Sequence, residues 1–172
     1  MARGLPFSRF PCIAAPMTRR LHPLISHQPD PEHPGWWTWD VAENPPGAQR
    51  YNATIGKLIV RGEGDGRARV RMFPTTLQSN LGNVMHGGAI LTFIDMAMFA
   101  GGHAAGADIA FSVTLDLSAQ FLSPGELESP VDATVEVLKE TRRLVFMRGL
   151  VVQEKETVAA WSGTLRKGGE RR

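Results

Sequence analysis

The chain has 172 residues, 42% of them hydrophobic and 21% charged, with a net charge of +2; this is enough for one domain with a real core. Its basic residues crowd the two ends: Arg3, Arg9, Arg19 and Arg20 precede any acid, and Arg166, Lys167, Arg171 and Arg172 stand against Glu170. No basic stripe falls on a folded element and no apolar run reaches bilayer length, which argues against a nucleic-acid-binding protein and against a membrane-spanning one.

The single Cys12 excludes an internal disulfide and fits a reducing compartment, so a cytoplasmic protein is expected. Pro6, Pro11 and Pro16 interrupt any signal-peptide apolar stretch. The acid-free, Arg-bearing start reads as a poorly ordered bacterial N-terminus or, for a eukaryotic source, as a transit peptide, which leaves the mitochondrial matrix open.

Residues 1–50 hold nine of the twelve prolines. Such a segment disfavours a central strand or a long helix, and 1–30 reads as loose. Trp36, Trp37 and Trp39 mark 34–54 as an arm packed on the main body, with one short helix. The plain role of these tryptophans is core packing that clamps the arm down; the sharper alternative is that they wall a pocket. The expected division is a proline-rich extension over 1–54, a main domain over 55–168 and a basic tail over 169–172.

Lys57–Arg61 and Arg67–Phe73 are strand-like and flank Gly62-Glu63-Gly64-Asp65-Gly66, a hairpin with a Gly-rich turn. An apolar helix follows over 88–100, with Gly101-Gly102 as its stop. From Gly88 to Ala100 only Thr92 and Asp95 are polar, so burial is expected on nearly every face. Phe111–Leu122 alternates: Phe111, Val113, Leu115, Leu117, Ala119 and Phe121 face one way, Ser112, Thr114, Asp116, Ser118 and Gln120 the other. Val131–Lys139, Leu144–Gln153 and Thr157–Arg166 are three more strands joined by short turns. Two strands, one helix and four strands with short links imply an antiparallel sheet and a two-layer α+β domain.

The chemistry concentrates in Asn80 through Asp95. A carboxylate inside an apolar helix is costly unless partnered, and desolvation pushes its pKa toward the range of a general base. Gly87-Gly88 open the helix, where the first N–H groups lack intrahelical acceptors and lie at the positive dipole end; such donors can hold a carbonyl oxygen as it becomes an oxyanion. His86 and Asp95 are nine residues apart. On a helix that is roughly 13 Å of rise and opposite sides, so a shared site has to form across a symmetric dimer interface. His22, His27, His33, His86 and His103 show no metal-ligand spacing, and no P-loop or dinucleotide fingerprint occurs.

Asn80, His86-Gly87-Gly88 and Asp95, at these intervals, resemble the motif of the hotdog-fold acyl-CoA thioesterase superfamily, in particular its phenylacetate-pathway, 4-hydroxybenzoyl-CoA thioesterase-like type. Val113–Pro124 is similar to the family's next strand, and the resemblance covers roughly 55–167. It implies a hotdog fold, one long central helix wrapped by a curled antiparallel sheet of five to six strands. It implies hydrolysis of an acyl-CoA to a carboxylic acid and coenzyme A, with coenzyme A part of the substrate and no metal or resident cofactor. Asp95 would be general base or nucleophile, and the Gly87 N–H would polarise the thioester carbonyl. Asn80 would position water or substrate, His86 would order the loop or contact the thioester, and Thr114 would assist. Arg142 and Arg143 would meet coenzyme A phosphates, the competing reading being two solvated arginines. The assembly implied is a homodimer or homotetramer with shared sites. Two departures stand out: the family's glycine three residues after the Asn is Asn83 here, and alternation turns Thr114 to the polar face unless the strand is bulged. An acyl-CoA-binding module without catalysis and a hotdog hydratase or dehydratase are the competing functions.

Overall fold

The computed structural model describes residues 21–42, 47 and 50–168. The loose reading of the first 20 residues and the basic tail at 169–172 fall outside that range. Three two-residue strands come from the proline-rich extension: β1 (Ile25–Ser26), which corrects the loose reading of 21–30 because it pairs with the arm, and β2 (Trp37–Thr38) and β3 (Asp40–Val41) of the arm itself. After a 3-10 turn at Tyr51–Ile55 come β4 (Leu58–Gly64), β5 (Arg67–Met72), α1 (Gly87–Ala104), β6 (Val113–Phe121), β7 (Val131–Glu140), β8 (Leu144–Gln153) and β9 (Glu156–Arg166). β1 pairs with β3, and the other seven strands form one antiparallel sheet in the order β2-β4-β5-β7-β8-β9-β6. The expected five to six strands are the six long ones, and the arm adds β2 at the β4 edge.

Alternation builds the two faces. Ala68, Val70 and Met72 of β5 turn to the helix and are buried, while Arg67, Arg69 and Arg71 point out. Asp-Gly at 65–66 closes the β4–β5 hairpin, both residues with positive φ (49° and 71°), as the twist of paired strands favours. Helix α1 packs Ile90, Phe93, Ile94, Ala97, Met98 and Ala100 onto the sheet. Full burial of Phe93 alone contributes roughly 1.5–3 kcal/mol.

Gly101-Gly102 do not stop the helix, which runs on to Ala104. A Cβ at Gly101 would lie 2.4 Å from Val135 Cγ2. The glycines let the helix lie against β7; the turn itself comes at Gly106, with φ +89°. A glycine that permits close packing and one that ends a helix look the same in a sequence.

The arm is ordered further than expected. Leu21 and Ile25 pack on the core, and buried Asp30 accepts from the Glu32 and His33 N–H groups and pairs with Lys57 at 2.8 Å. The Lys57 ammonium, helped by His33, holds the Asp30 carboxyl at about 2. Trp36 lies on the outer face between the guanidinium groups of Arg61 (4.7 Å) and Arg71 (4.8 Å). Arg71 in turn makes a two-pronged bond to Asp132 at 2.6 and 2.9 Å. Trp37 stacks on His27, and buried Trp39 joins the core beside His103. Among the described residues no helix is long and apolar enough to cross a membrane.

His27 gives this arm a pH dependence. Its Nδ1 bonds the Thr38 carbonyl, its Nε2 is buried, and burial lowers its pKa below the ordinary 6.5. A base whose pKa is lower folded than unfolded stabilises the fold above the unfolded value and loses that contribution as pH falls below it. Between about pH 7 and pH 5 the melting temperature of the natural chain is therefore expected to fall more than that of His27→Phe. Equal slopes in thermal melts would show that His27 does not anchor the arm.

Candidate active site

Asp95 lies on the one face of α1 that the sheet leaves partly open, a stripe of Gly88, Leu91, Thr92, Asp95 and Phe99 at helical spacing. The expectation of burial on nearly every face is corrected: Asp95 is half-buried, because the sheet covers the opposite side of the helix.

Thr114 Oγ1 donates to Asp95 Oδ1 at 2.5 Å. The ladder between β6 and β9 shifts register between Thr114 and Asp116. Thr114 pairs with Leu165, which is fully buried on the helix side, and directly paired residues share a face. The alternation expected across Phe111–Leu122 therefore breaks at Leu115. Leu117, Ala119 and Phe121 face the helix, whereas Val113 pairs with exposed Arg166 and Leu115 is the extra residue, 57% exposed. A bulge re-aims a side chain in this way, and here it aims Thr114 at the carboxylate.

At the helix start His86 is the N-cap, and its Nδ1 accepts from the Gly88 N–H at 2.9 Å. A Cβ on Gly88 would lie 2.9 Å from that nitrogen, so the cap needs a glycine there. The Gly87 N–H has no hydrogen-bond partner among the described residues. Phe121 covers this point: its ring lies 3.4 Å from where a Gly87 Cβ would be.

Asn80 Oδ1 accepts from the Gly82 N–H at 2.7 Å and the Val84 N–H at 3.4 Å, tying the loop that leads to His86. Asn83 takes φ +57°, the left-handed geometry that glycine has elsewhere and that Asn tolerates. The loop thus keeps its turn despite the departure from the family pattern.

Asn80, His86 and Gly87 form one group at the helix start. Asp95 and Thr114 form another about 12 Å along the helix axis. Arg142 and Arg143 are exposed in the turn between β7 and β8. The adjacent Leu144 pairs with Arg166, which pairs with Val113, so the turn reaches the sheet end next to Thr114. Arg166 reads as tail charge in the sequence, yet it joins this basic corner.

A cavity of about 260 Å³ opens beside Asp95, lined also by Met96, Phe99, Arg50 and the arm residues His22, Leu24, Ile25, Trp39 and Val41. The sequence offers Trp39 as a pocket wall and Phe93, Met96, Met98 and Phe99 as an apolar tunnel lining, each against plain core packing; of these Trp39, Met96 and Phe99 line the cavity, and Arg50 and the other arm residues carry no such signal. A larger hollow, about 380 Å³, lies around Lys57 and Phe73 and reaches Gln78, whose carbonyl accepts from the His86 N–H at 2.7 Å. There Asp30, Glu32 and His33 bring ligand-type atoms within 4.8 Å of one another, but the Lys57 ammonium is paired to both carboxylates.

Residues 82–160 match the model of the thioesterase superfamily. The PaaI protein of the Escherichia coli phenylacetic acid degradation operon is 26% identical over 60% of this chain and 74% of its own, with a TM-score of 0.53. A conserved protein of Pseudomonas aeruginosa is 27% identical over 70% of this chain and 95% of its own, with a TM-score of 0.56. A hypothetical thioesterase of Streptococcus pneumoniae, solved with coenzyme A, is 20% identical over 70% and 92%, with a TM-score of 0.59, a likeness of fold. No curated protein sequence matches. A single main helix on a large antiparallel sheet and the match over the motif identify a hotdog-fold protein. Residues 82–160 are thus the part of the chain that is similar to the thioesterase superfamily.

Proposed function

We propose that this chain hydrolyses acyl-CoA thioesters at sites shared between two subunits. One observation carries the reading: Asp95, the carboxylate of the motif helix, opens onto a cavity and is held by the Thr114 hydroxyl at 2.5 Å. The Thr114 bond fixes one carboxylate oxygen, and the other is directed at a water or at the substrate. Acting as base, Asp95 takes a proton as water adds to the thioester carbonyl carbon; acting as nucleophile, it adds there itself, and water then releases it.

The Gly87 N–H is placed to take the carbonyl oxygen, as an unpaired donor at a helix N-terminus. His86 holds the Gly88 N–H, so Gly87 supplies the remaining donor at that point. The tetrahedral species collapses with loss of the thiolate. A thiol of pKa about 8.5 leaves without a strong acid, which suits a site with one carboxylate. Because about 12 Å separates Gly87 from Asp95 along one helix, each Asp95 acts with the Gly87 of a second copy. Arg142, Arg143 and Arg166 face solvent at the sheet end next to Thr114 and suit the phosphates of coenzyme A.

Thiol release measured over a panel of acyl-CoAs, with enoyl-CoA hydration measured in parallel, tests this. Turnover of saturated acyl-CoAs without hydration is expected. Hydration without thiol release would make the chain a hydratase, and tight binding with neither reaction would make it a binding module.

A further inference from the structure

The cavity beside Asp95 is built from two parts of the chain. Asp95, Met96 and Phe99 belong to the motif helix. The facing wall is the arm, chiefly Leu24, Ile25 and Val41, with Trp39 behind them. These four precede the superfamily match, which begins at residue 82. The solved relatives fill 95% and 92% of their own length while covering only 70% of this chain.

The arm is fixed on this wall. Ile25 pairs with Val41, and Trp37 pairs with Val60 of the main sheet. Trp39 is buried in the core, and the Tyr51 hydroxyl bonds Thr92, one turn before Asp95 on the same open stripe. A volume of about 260 Å³ is below the ~300–1,000 Å³ of pockets that enclose a drug-sized ligand. It suits an acyl group and not the coenzyme. Leu24, Ile25 and Val41 make one wall apolar, while His22, Arg50, Asn52 and Ser112 supply polar groups elsewhere in the lining.

We propose that the arm is the selector of the acyl group: Leu24, Ile25 and Val41 form the end wall of the acyl pocket and restrict the substrate to a compact acyl-CoA. This rests on the thioesterase reading. The tail of the bound acyl group runs from the carbonyl at Asp95 toward β1 and β3. Side chains there set which acyl group is turned over, since a methylene more or less in an apolar pocket changes discrimination about 10–200-fold.

The test compares kcat/KM for acetyl-, benzoyl- and palmitoyl-CoA in the full chain and in Val41→Phe, Ile25→Ala and Val41→Ala, each checked for an unchanged melting transition. The natural chain is expected to favour benzoyl-CoA over palmitoyl-CoA. Val41→Phe should lower the benzoyl-to-acetyl ratio at least about tenfold, and the alanine variants should raise the palmitoyl-to-benzoyl ratio by a similar factor. Ratios that stay within about twofold in all folded variants, or palmitoyl-CoA as the best substrate of the natural chain, would overturn the selector role. If the natural chain hydrolyses none of the three, the thioesterase reading falls. Calorimetric binding of benzoyl-CoA then judges the wall separately: a tenfold loss in Val41→Phe supports it, and unchanged affinity refutes it.

Discussion

Asp95→Asn is expected to lower kcat/KM for thioester hydrolysis by about 10³-fold, within the ~10²–10⁴ that a positioned proton acceptor supplies. The amide keeps the volume and still accepts from Thr114 Oγ1, so the fold should persist. Retained turnover in a folded Asp95→Asn would remove Asp95 from the chemistry. A second variant makes the sharing of sites testable. Proline is tolerated at the first position of a helix and has no N–H. His86, with φ −66° and ψ 136°, has the extended backbone that a following proline requires. Gly87→Pro therefore deletes one donor at little cost to the helix. Neither variant alone should turn over substrate well. Mixed and allowed to reassort, they should recover about a quarter of the natural rate, because half of the dimers are mixed and each has one intact site of two. No recovery despite subunit exchange would mean that Gly87 and Asp95 do not meet across an interface.

Gly149→Ala is expected to destabilise the fold by about 3 kcal/mol or more, near the upper end of what overpacking costs. Gly149 lies in β8 opposite Trp161. An added methyl would sit 1.8 Å from the Thr134 carbonyl oxygen and 2.7 Å from Trp161 Cζ2. Backbone cannot yield as a side-chain tip can, so β7 and β8 would have to part. The contrast is Gly163→Ala, whose nearest neighbour is the flexible end of Met98. It should cost less in urea unfolding at constant m-value. Equal stability of Gly149→Ala and the natural chain would show that the sheet accommodates the methyl freely.

The sequence carried the central helix and its motif because the signal there is local. An apolar run after His86-Gly87-Gly88 with one carboxylate needs no knowledge of distant residues, and neither do the three strands after residue 130. What escaped depends on tertiary context. Gly101-Gly102 carry the helix past Val135 instead of ending it, a distinction that only the partner strand makes. Thr114 reaches Asp95 because one extra residue at Leu115 breaks the alternation, and a period of two has no mark for a missed beat. The open stripe along Asp95 is invisible to a composition count, since Leu91 and Phe99 look like core. The arm was the hardest case. Its prolines rightly excluded long elements, yet two-residue strands and three tryptophans were enough to fasten Leu24, Ile25 and Val41 beside the carboxylate.

The short strand β2 also bears on how copies of this protein add together. It lies on the outer side of β4, and Pro29, bridged to Trp37, stands beyond it. Proline offers no N–H to a further strand. The opposite edge, β6, carries exposed Val113, Leu115 and Phe121 and, among the described residues, no such guard. A sheet blunted on one side and bare on the other can be extended once. Two copies joined β6 to β6 present only blunted ends, and growth stops there. In a pair joined at that edge the arm would keep the association finite and keep the sheet from running on into a fibre.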